Sequence, residues 1–223
     1  MQQVQFNGDK KVGTSLLHRP EQRFIAFALP YVPKWIHTYH LTLATIPTSI
    51  GIILCSYLAH FHIAWLWVVS ALIALQWLTD ALDGAVGRAR NEGLVRWGYY
   101  MDHFLDYIFL ASILIGYMLL LPDHFKYMYF FILAILSAFM VNSYLAFAAT
   151  NQFRVSYMRI GPTEVRIVFI LINLLLFFLG KTYIAGTLPW LLGASFVGLC
   201  AVIYRTQKHI WELDMAEKQK SQP

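Results

Sequence analysis

Four aspartates stand in two pairs between positions 80 and 106: Asp80 with Asp83, and Asp102 with Asp106. Residues three or four apart on a helix share a face, so each pair can aim its carboxylates at a common spot. Both pairs lie inside apolar stretches. A carboxylate at mid-bilayer costs about 2.5–3.5 kcal/mol on insertion scales. Four together, with like-charge repulsion, cost on the order of 10 kcal/mol. Divalent cations are the most economical neutralising agent, because hard oxygen ligands suit Mg²⁺, Mn²⁺ or Ca²⁺. Asp80, Asp83, Asp102 and Asp106 are therefore the candidate metal ligands. An ion-pair network with Arg88, Arg90 and Arg96 is the structural alternative, but acids within a membrane are functional by default.

The neighbours of these acids are patterned too. Asp80, Gly84 and Arg88 step by four, with Asp83 and Gly87 beside them, and Gly98, Asp102 and Asp106 step by four on the following stretch. Each run makes one helix face. A guanidinium one turn beyond two carboxylates suits a diphosphate held partly by metal and partly by arginine. Glycines on that face let a ligand or another helix approach closely.

The spacing D-x2-D-G-x2-(A/G)-R-x9-G-x3-D-x3-D, carried by Asp80, Asp83, Gly84, Arg88, Gly98, Asp102 and Asp106, resembles the signature of the CDP-alcohol phosphotransferases, also called CDP-alcohol phosphatidyltransferases. Gly87 replaces the family's usual alanine, a one-methyl departure expected to be harmless. The resemblance implies that Asp80, Asp83 and Asp102 hold metal, with Asp106 also at the metal site. It implies two divalent cations, Mg²⁺ or Mn²⁺. It makes Asp106 the base that takes the proton from the acceptor hydroxyl. Gly84 and Arg88, with Asp83, would contact the CDP diphosphate, and Gly98 would leave room for it.

Further positions carry weaker likenesses. His103 follows Asp102, an Asp-His step similar to that of the choline/ethanolamine phosphotransferase branch, which makes His103 the alternative base. A ring about 100° round the helix from Asp102 can equally face a packed neighbour. Gly161-Pro162-Thr163-Glu164 resembles a Gly-Pro-x-Glu of the same branch; Glu164 is either a partner of the helix dipole or a site acid. Arg154, Arg159 and Arg166 surround that turn, where other branches bind a phosphorylated acceptor. Pro162 and Thr163 occupy the run in which the inositol-phosphate branch has an arginine. Tyr39-His40-Leu41-Thr42 is similar to the family's Pro-Asn-x-Leu-Thr. Thr42 could line the nucleotide pocket or bond its own helix backbone.

The elements that must position these residues follow from composition. Of 223 residues, 58% are hydrophobic and 13% charged, too apolar for a soluble domain of this size. Six apolar stretches, at about 39–59, 63–86, 97–121, 126–149, 163–181 and 186–207, each approach the ~20 residues that span a bilayer. Short loops join them, which predicts an all-α polytopic bundle with antiparallel neighbours. Residues 1–13 are polar and expected to be loosely ordered. Residues 14–33 set Arg19 and Arg23 against Phe24, Ile25, Phe27 and Leu29, the pattern of an N-terminal interfacial amphipathic helix. The domain reading is an N-terminal region 1–38, a six-helix catalytic domain 39–208 and a tail 209–223. No cleavable signal is expected, because a long polar lead precedes the first apolar run and no small-residue cleavage site follows. Cys55 and Cys200 lie in apolar runs and read as packing residues.

With the N-terminus inside, fifteen of the 17 lysines and arginines fall on the inner side, leaving only Lys126 and Lys181 outside. That imbalance predicts cytoplasmic termini and acids near the cytoplasmic face. The expected protein is an integral membrane enzyme that transfers a substituted phosphate from a CDP-linked donor to a hydroxyl acceptor, releasing CMP. CDP-choline or CDP-ethanolamine with diacylglycerol is the preferred pairing, and CDP-diacylglycerol with a small polar alcohol or its phosphate is the alternative. A lipid and a CDP-linked donor are the expected partners, a homodimer is expected by analogy, and no nucleic acid is involved. Two rivals remain at this point: a divalent-cation transporter using the same acids, and a relative that binds CDP-lipid without turnover.

Overall fold

The computed structural model describes residues 10–12, 15–120, 122–150, 152–154 and 161–220. Helix α1 (His18–Ala28) precedes a short 3₁₀ turn, Leu29–Tyr31. Then come α2 (Thr38–Leu43), α3 (Thr45–Leu58), α4 (Trp65–Arg90), α5 (Val95–Leu120), α6 (Lys126–Thr150), α7 (Pro162–Leu179) and α8 (Lys181–Lys220). Six segments are long and apolar enough to cross a membrane: Thr38–Leu58, Trp65–Arg90, Val95–Leu120, Asp123–Thr150, Pro162–Leu179 and Gly186–Gln219. The all-α bundle of six spans expected from hydropathy is therefore present.

Local chemistry sets the element ends. The first span breaks at Ala44 because Pro47 lacks an N–H for the carbonyl of Leu43 and its ring crowds that carbonyl. Helix α4 ends at Asn91, which adopts the left-handed conformation (φ 54°, ψ 42°), and Glu92 N–H closes the cap on Gly87 O at 3.1 Å. Left-handed caps of this kind use asparagine or glycine. Helix α7 opens on Gly161-Pro162, with proline at the position where its missing N–H costs nothing.

Two findings modify the sequence expectations. Lys10–Val12 pairs in parallel with Gln152–Arg154, so this part of the polar leader is hydrogen-bonded; residues 1–9 lie outside the described residues. Helix α8 runs 40 residues to Lys220, about 60 Å at ~1.5 Å per residue and twice the hydrocarbon thickness. No break occurs at 208, and the tail continues the last helix as far as Lys220. Its charged residues support that continuation with pairs such as Lys208–Glu212 at 3.9 Å.

Helices α3, α4 and α5 form the tightest group, α7 packs along α4, and α6 and α8 pair beside α5. In lipid the hydrophobic effect does not drive helices together, so close van der Waals packing through small residues does. Gly116 on α5 shows this: a Cβ there would lie 2.5 Å from Ser56 Oγ and 2.9 Å from Ser56 Cβ. Gly116→Ala should therefore destabilise the bundle by about 1–3 kcal/mol. Gly186→Ala, whose Cβ would meet nothing within 4 Å, is the matched control. Thermal melting of both variants in detergent tests the difference, and equal midpoints would rule out the crossing as a tight contact. Both cysteines are free.

Candidate active site

Helix α4 carries Asp80, Asp83, Gly84 and Arg88 on its last turns, and α5 carries Gly98, Asp102 and Asp106 on its first. The short turn 91–94 returns the chain so that the two acidic stretches face each other. One carboxylate oxygen from each of Asp80, Asp102 and Asp106 lies within 4.8 Å of the others. Three hard oxygen donors at that spacing suit a divalent oxygen-loving cation. The acidic faces of two neighbouring spans thus meet as expected.

Asp83 sits outside this trio. Its Oδ2 accepts a hydrogen bond from Thr42 Oγ1 at 2.9 Å, and its Oδ1 accepts one from the amide of Gly84. Thr38 Oγ1 donates to the backbone carbonyl of Asp83 at 2.7 Å. Thr42 also bonds its own helix at Thr38 O, 3.1 Å away, the backbone bond that the sequence allowed. Helix α2 thus grips the signature turn of α4 through two hydroxyls. Gly87 belongs to this grip: a Cβ there would stand 2.6 Å from Thr38 Oγ1. The missing methyl is the space the Thr38 hydroxyl occupies, so the departure from alanine matters here.

The glycines of the signature differ in what surrounds them. At Gly84 a Cβ would stand 3.2 Å from Arg88 Nη1, so the exposed Arg88 side chain folds back over Gly84 toward the acids. At Gly98 a Cβ would meet nothing within 4 Å, so the site is open there.

Arg90, one of the arginines of the structural alternative, bonds backbone carbonyls. Arg90 donates to the carbonyl of Ile36, to Val32 O at 2.9 Å and to Pro33 O at 3.2 Å, tying the 32–36 connection to the end of α4. Beside it, Glu92 accepts from the Thr38 amide at 2.9 Å and faces His37 Nδ1 at 3.1 Å. Partial burial works to raise the Glu92 pKa, but the Thr38 amide, the His37 ring and Arg90 outweigh it and hold the carboxyl below its usual value. A carboxyl depressed on folding contributes stability above its unfolded pKa, and that contribution is lost as pH falls through the folded value. Amide exchange at Thr38, corrected for intrinsic rate, should therefore rise as pH falls through the depressed Glu92 value. Glu92→Ala should show the same rise at neutral pH; unchanged protection in that variant would remove the loop's anchoring role.

Arg166 is the cation the acids use. It is 4% exposed, and one nitrogen, Nη2, donates to Asp80 Oδ2 at 2.9 Å and to Asp106 Oδ1 at 3.1 Å. Its Nε donates to Gln76 Oε1 at 2.8 Å, and its guanidinium carbon stands 5.4 Å from the centre of the Phe109 ring. Gln76, fully buried, is a site residue the sequence reading missed. Its signal was an amide one turn before Asp80 in an otherwise apolar run.

His103 turns toward α6. Its ring centre is 4.4 Å from that of Tyr99 and 5.6 Å from that of Tyr144, and Tyr144 Oη donates to His103 O at 3.0 Å. The ring also meets Asp102, with Nδ1 3.2 Å from Oδ2. A bond from Nδ1–H to that carboxylate would leave Nε2 as the basic nitrogen.

Glu164 points back to the backbone. Oε2 accepts from the Gly161 amide at 2.9 Å and Oε1 from the Leu17 amide at 2.8 Å. It caps its own helix in the manner of a capping-box acid and fastens the start of α1 to the start of α7. Thr163 Oγ1 donates to Glu21 at 3.1 Å and adds to that joint. Arg154 lies in the paired strand Gln152–Arg154, and Arg159 lies outside the described residues.

A family model for CDP-alcohol phosphatidyltransferase matches residues 36–201, from the start of α2 to well inside α8. The chain belongs to that family. No curated protein and no solved structure matches it. As a CDP-alcohol phosphatidyltransferase it is a membrane transferase of phospholipid biosynthesis, and membership sets aside the cation-transporter reading. The family uses divalent cations, and the three-carboxylate group of Asp80, Asp102 and Asp106 offers donors of the right chemistry.

Proposed function

We propose that this enzyme transfers phosphocholine or phosphoethanolamine from the CDP-linked donor to the hydroxyl of diacylglycerol, releasing CMP. The observation that carries this reading is the state of Arg166. It is the buried basic side chain among the described residues, and it is spent on Asp80, Asp106 and Gln76. A phosphate on the acceptor would have to compete with Asp80 and Asp106 for Arg166, whereas an uncharged hydroxyl makes no such demand. The His103–Asp102 contact adds support through the branch that carries the same step.

Asp80, Asp102 and Asp106 would hold the divalent cations, with Asp83 held beside them by Thr42. When bound, such ions neutralise the diphosphate and stabilise the leaving phosphate. The acceptor oxygen attacks the phosphorus distal to cytidine, the bond from that phosphorus to the bridging oxygen breaks, and CMP leaves. Asp106, with His103 as the alternative, takes the acceptor's proton. Arg88, folded over Gly84, is placed to meet the diphosphate, and the space at Gly98 admits it.

The lipid would reach the site sideways between helices while the polar partner enters from the cytoplasm. The excess of lysine and arginine on one side supports, by the positive-inside rule, a cytoplasmic position for the acids and both termini in an inner or cytoplasmic membrane. A homodimer through the exposed Phe130 and Phe131 of α6 completes the reading, and cross-linking in native membranes tests it.

The deciding experiment incubates purified protein with Mg²⁺ or Mn²⁺ and a panel of CDP-alcohols and lipid acceptors, and follows CMP. Release with CDP-choline or CDP-ethanolamine and diacylglycerol is expected. Release only with CDP-diacylglycerol and a small polar alcohol would overturn the pairing and leave the chemistry.

A further inference from the structure

Arg166 occupies an unusual place for an arginine. A single nitrogen bridges a carboxylate of α4 and a carboxylate of α5, and both belong to the trio that would hold an ion. The guanidinium is also held on its other edge by Gln76 and lies against the Phe109 ring. It reaches the acids from a third helix, α7. Burying a guanidinium is costly unless its donors are satisfied, and here two carboxylates take up Nη2 and an amide oxygen takes up Nε. The position is built into the fold by Gln76 and Phe109 and is not an accident of a flexible side chain.

We propose that Arg166 is a resident counter-cation of the metal site, positioned by Gln76, which holds Asp80 and Asp106 when no ion is bound and competes with the divalent cation for them. The proposal rests on the reading of Asp80, Asp102 and Asp106 as the ion's ligands. It deepens that reading by making ion affinity a balance between two cations. Two consequences follow from charge alone. Without metal, Arg166 offsets one of the negative charges that Asp80 and Asp106 bring together, so the metal-free protein stays folded. Ion binding is weaker than the three carboxylates would otherwise make it, because a positive charge already sits within hydrogen-bond distance of two ligands.

The test is Mn²⁺ titration of the full-length protein in detergent, followed by electron paramagnetic resonance or calorimetry, with thermal melting in chelator beside it. Arg166→Gln removes the charge and should tighten Mn²⁺ binding at least about tenfold, since a unit charge a few Å away is worth more than that factor. Its melting temperature should also rise more with added ion than the parent's does. Arg166→Lys keeps the charge and should bind as weakly as the parent. Gln76→Leu keeps the charge but releases its tether, so it should bind more tightly than the parent and less tightly than Arg166→Gln; it serves if Arg166→Gln fails to fold. A purely structural arginine would give the opposite sign, with looser Mn²⁺ binding in both Arg166→Gln and Gln76→Leu. That result, or unchanged affinity, overturns the counter-cation and leaves the metal site standing. Absence of saturable Mn²⁺ binding in every protein, parent included, overturns the metal site itself.

Discussion

Asp106→Asn is expected to lower turnover by about 10²–10⁴-fold, the usual contribution of a positioned general base. The substitution keeps the shape and an oxygen that can still accept from Arg166, so the fold and the ion site should survive. Mn²⁺ binding should persist while CMP release is lost. The competing base is His103, whose Nδ1 lies 3.2 Å from Asp102 Oδ2. Its ring packs on Tyr99 and Tyr144 and is not part of the Asp80, Asp102 and Asp106 group, so His103→Ala should cost less than Asp106→Asn. The two variants assayed side by side assign the proton. Full activity in Asp106→Asn with a large loss in His103→Ala would transfer the role to the histidine.

Asp80→Ala should remove both saturable Mn²⁺ binding and turnover, and it should also weaken the fold. Asp80 supplies one of three convergent oxygens and the shorter of the two Arg166 bonds. Removing one partner of a buried ion pair typically costs about 3–5 kcal/mol because a charge is left uncompensated. Arg166 keeps Asp106, so the expected loss is smaller, roughly 1–3 kcal/mol, comparable to one charged hydrogen bond. Thermal melting in chelator measures the stability term, and Mn²⁺ titration measures the site. Double replacement with Arg166→Gln should lower stability further, since it takes from Asp106 its cation, and should restore no activity. An Asp80→Ala protein that still binds Mn²⁺ as the parent does would exclude Asp80 as a ligand.

Local properties of the chain were enough to determine the spans, the facing acids and the family. Hydropathy over some twenty residues reports whether a segment can sit in lipid, and the i, i+3 and i, i+4 steps from Asp80 to Arg88 and from Gly98 to Asp106 report one helix face each. The start of α7 was legible for the same reason, because Gly161-Pro162-Thr163-Glu164 is a self-contained capping sequence. Only the tertiary structure decided which distant groups meet. Arg166 is separated from Asp80 by 86 positions and from Asp106 by 60. No local period relates them, and in the sequence Arg166 was indistinguishable from the basic residues around it. Thr42 reaches Asp83 across 41 positions, and Gly87 proved to be room for the Thr38 hydroxyl. Helix periodicity is a short-range rule, whereas a buried charge is neutralised by whatever the packing brings near it, and in this protein that is an arginine from a third helix.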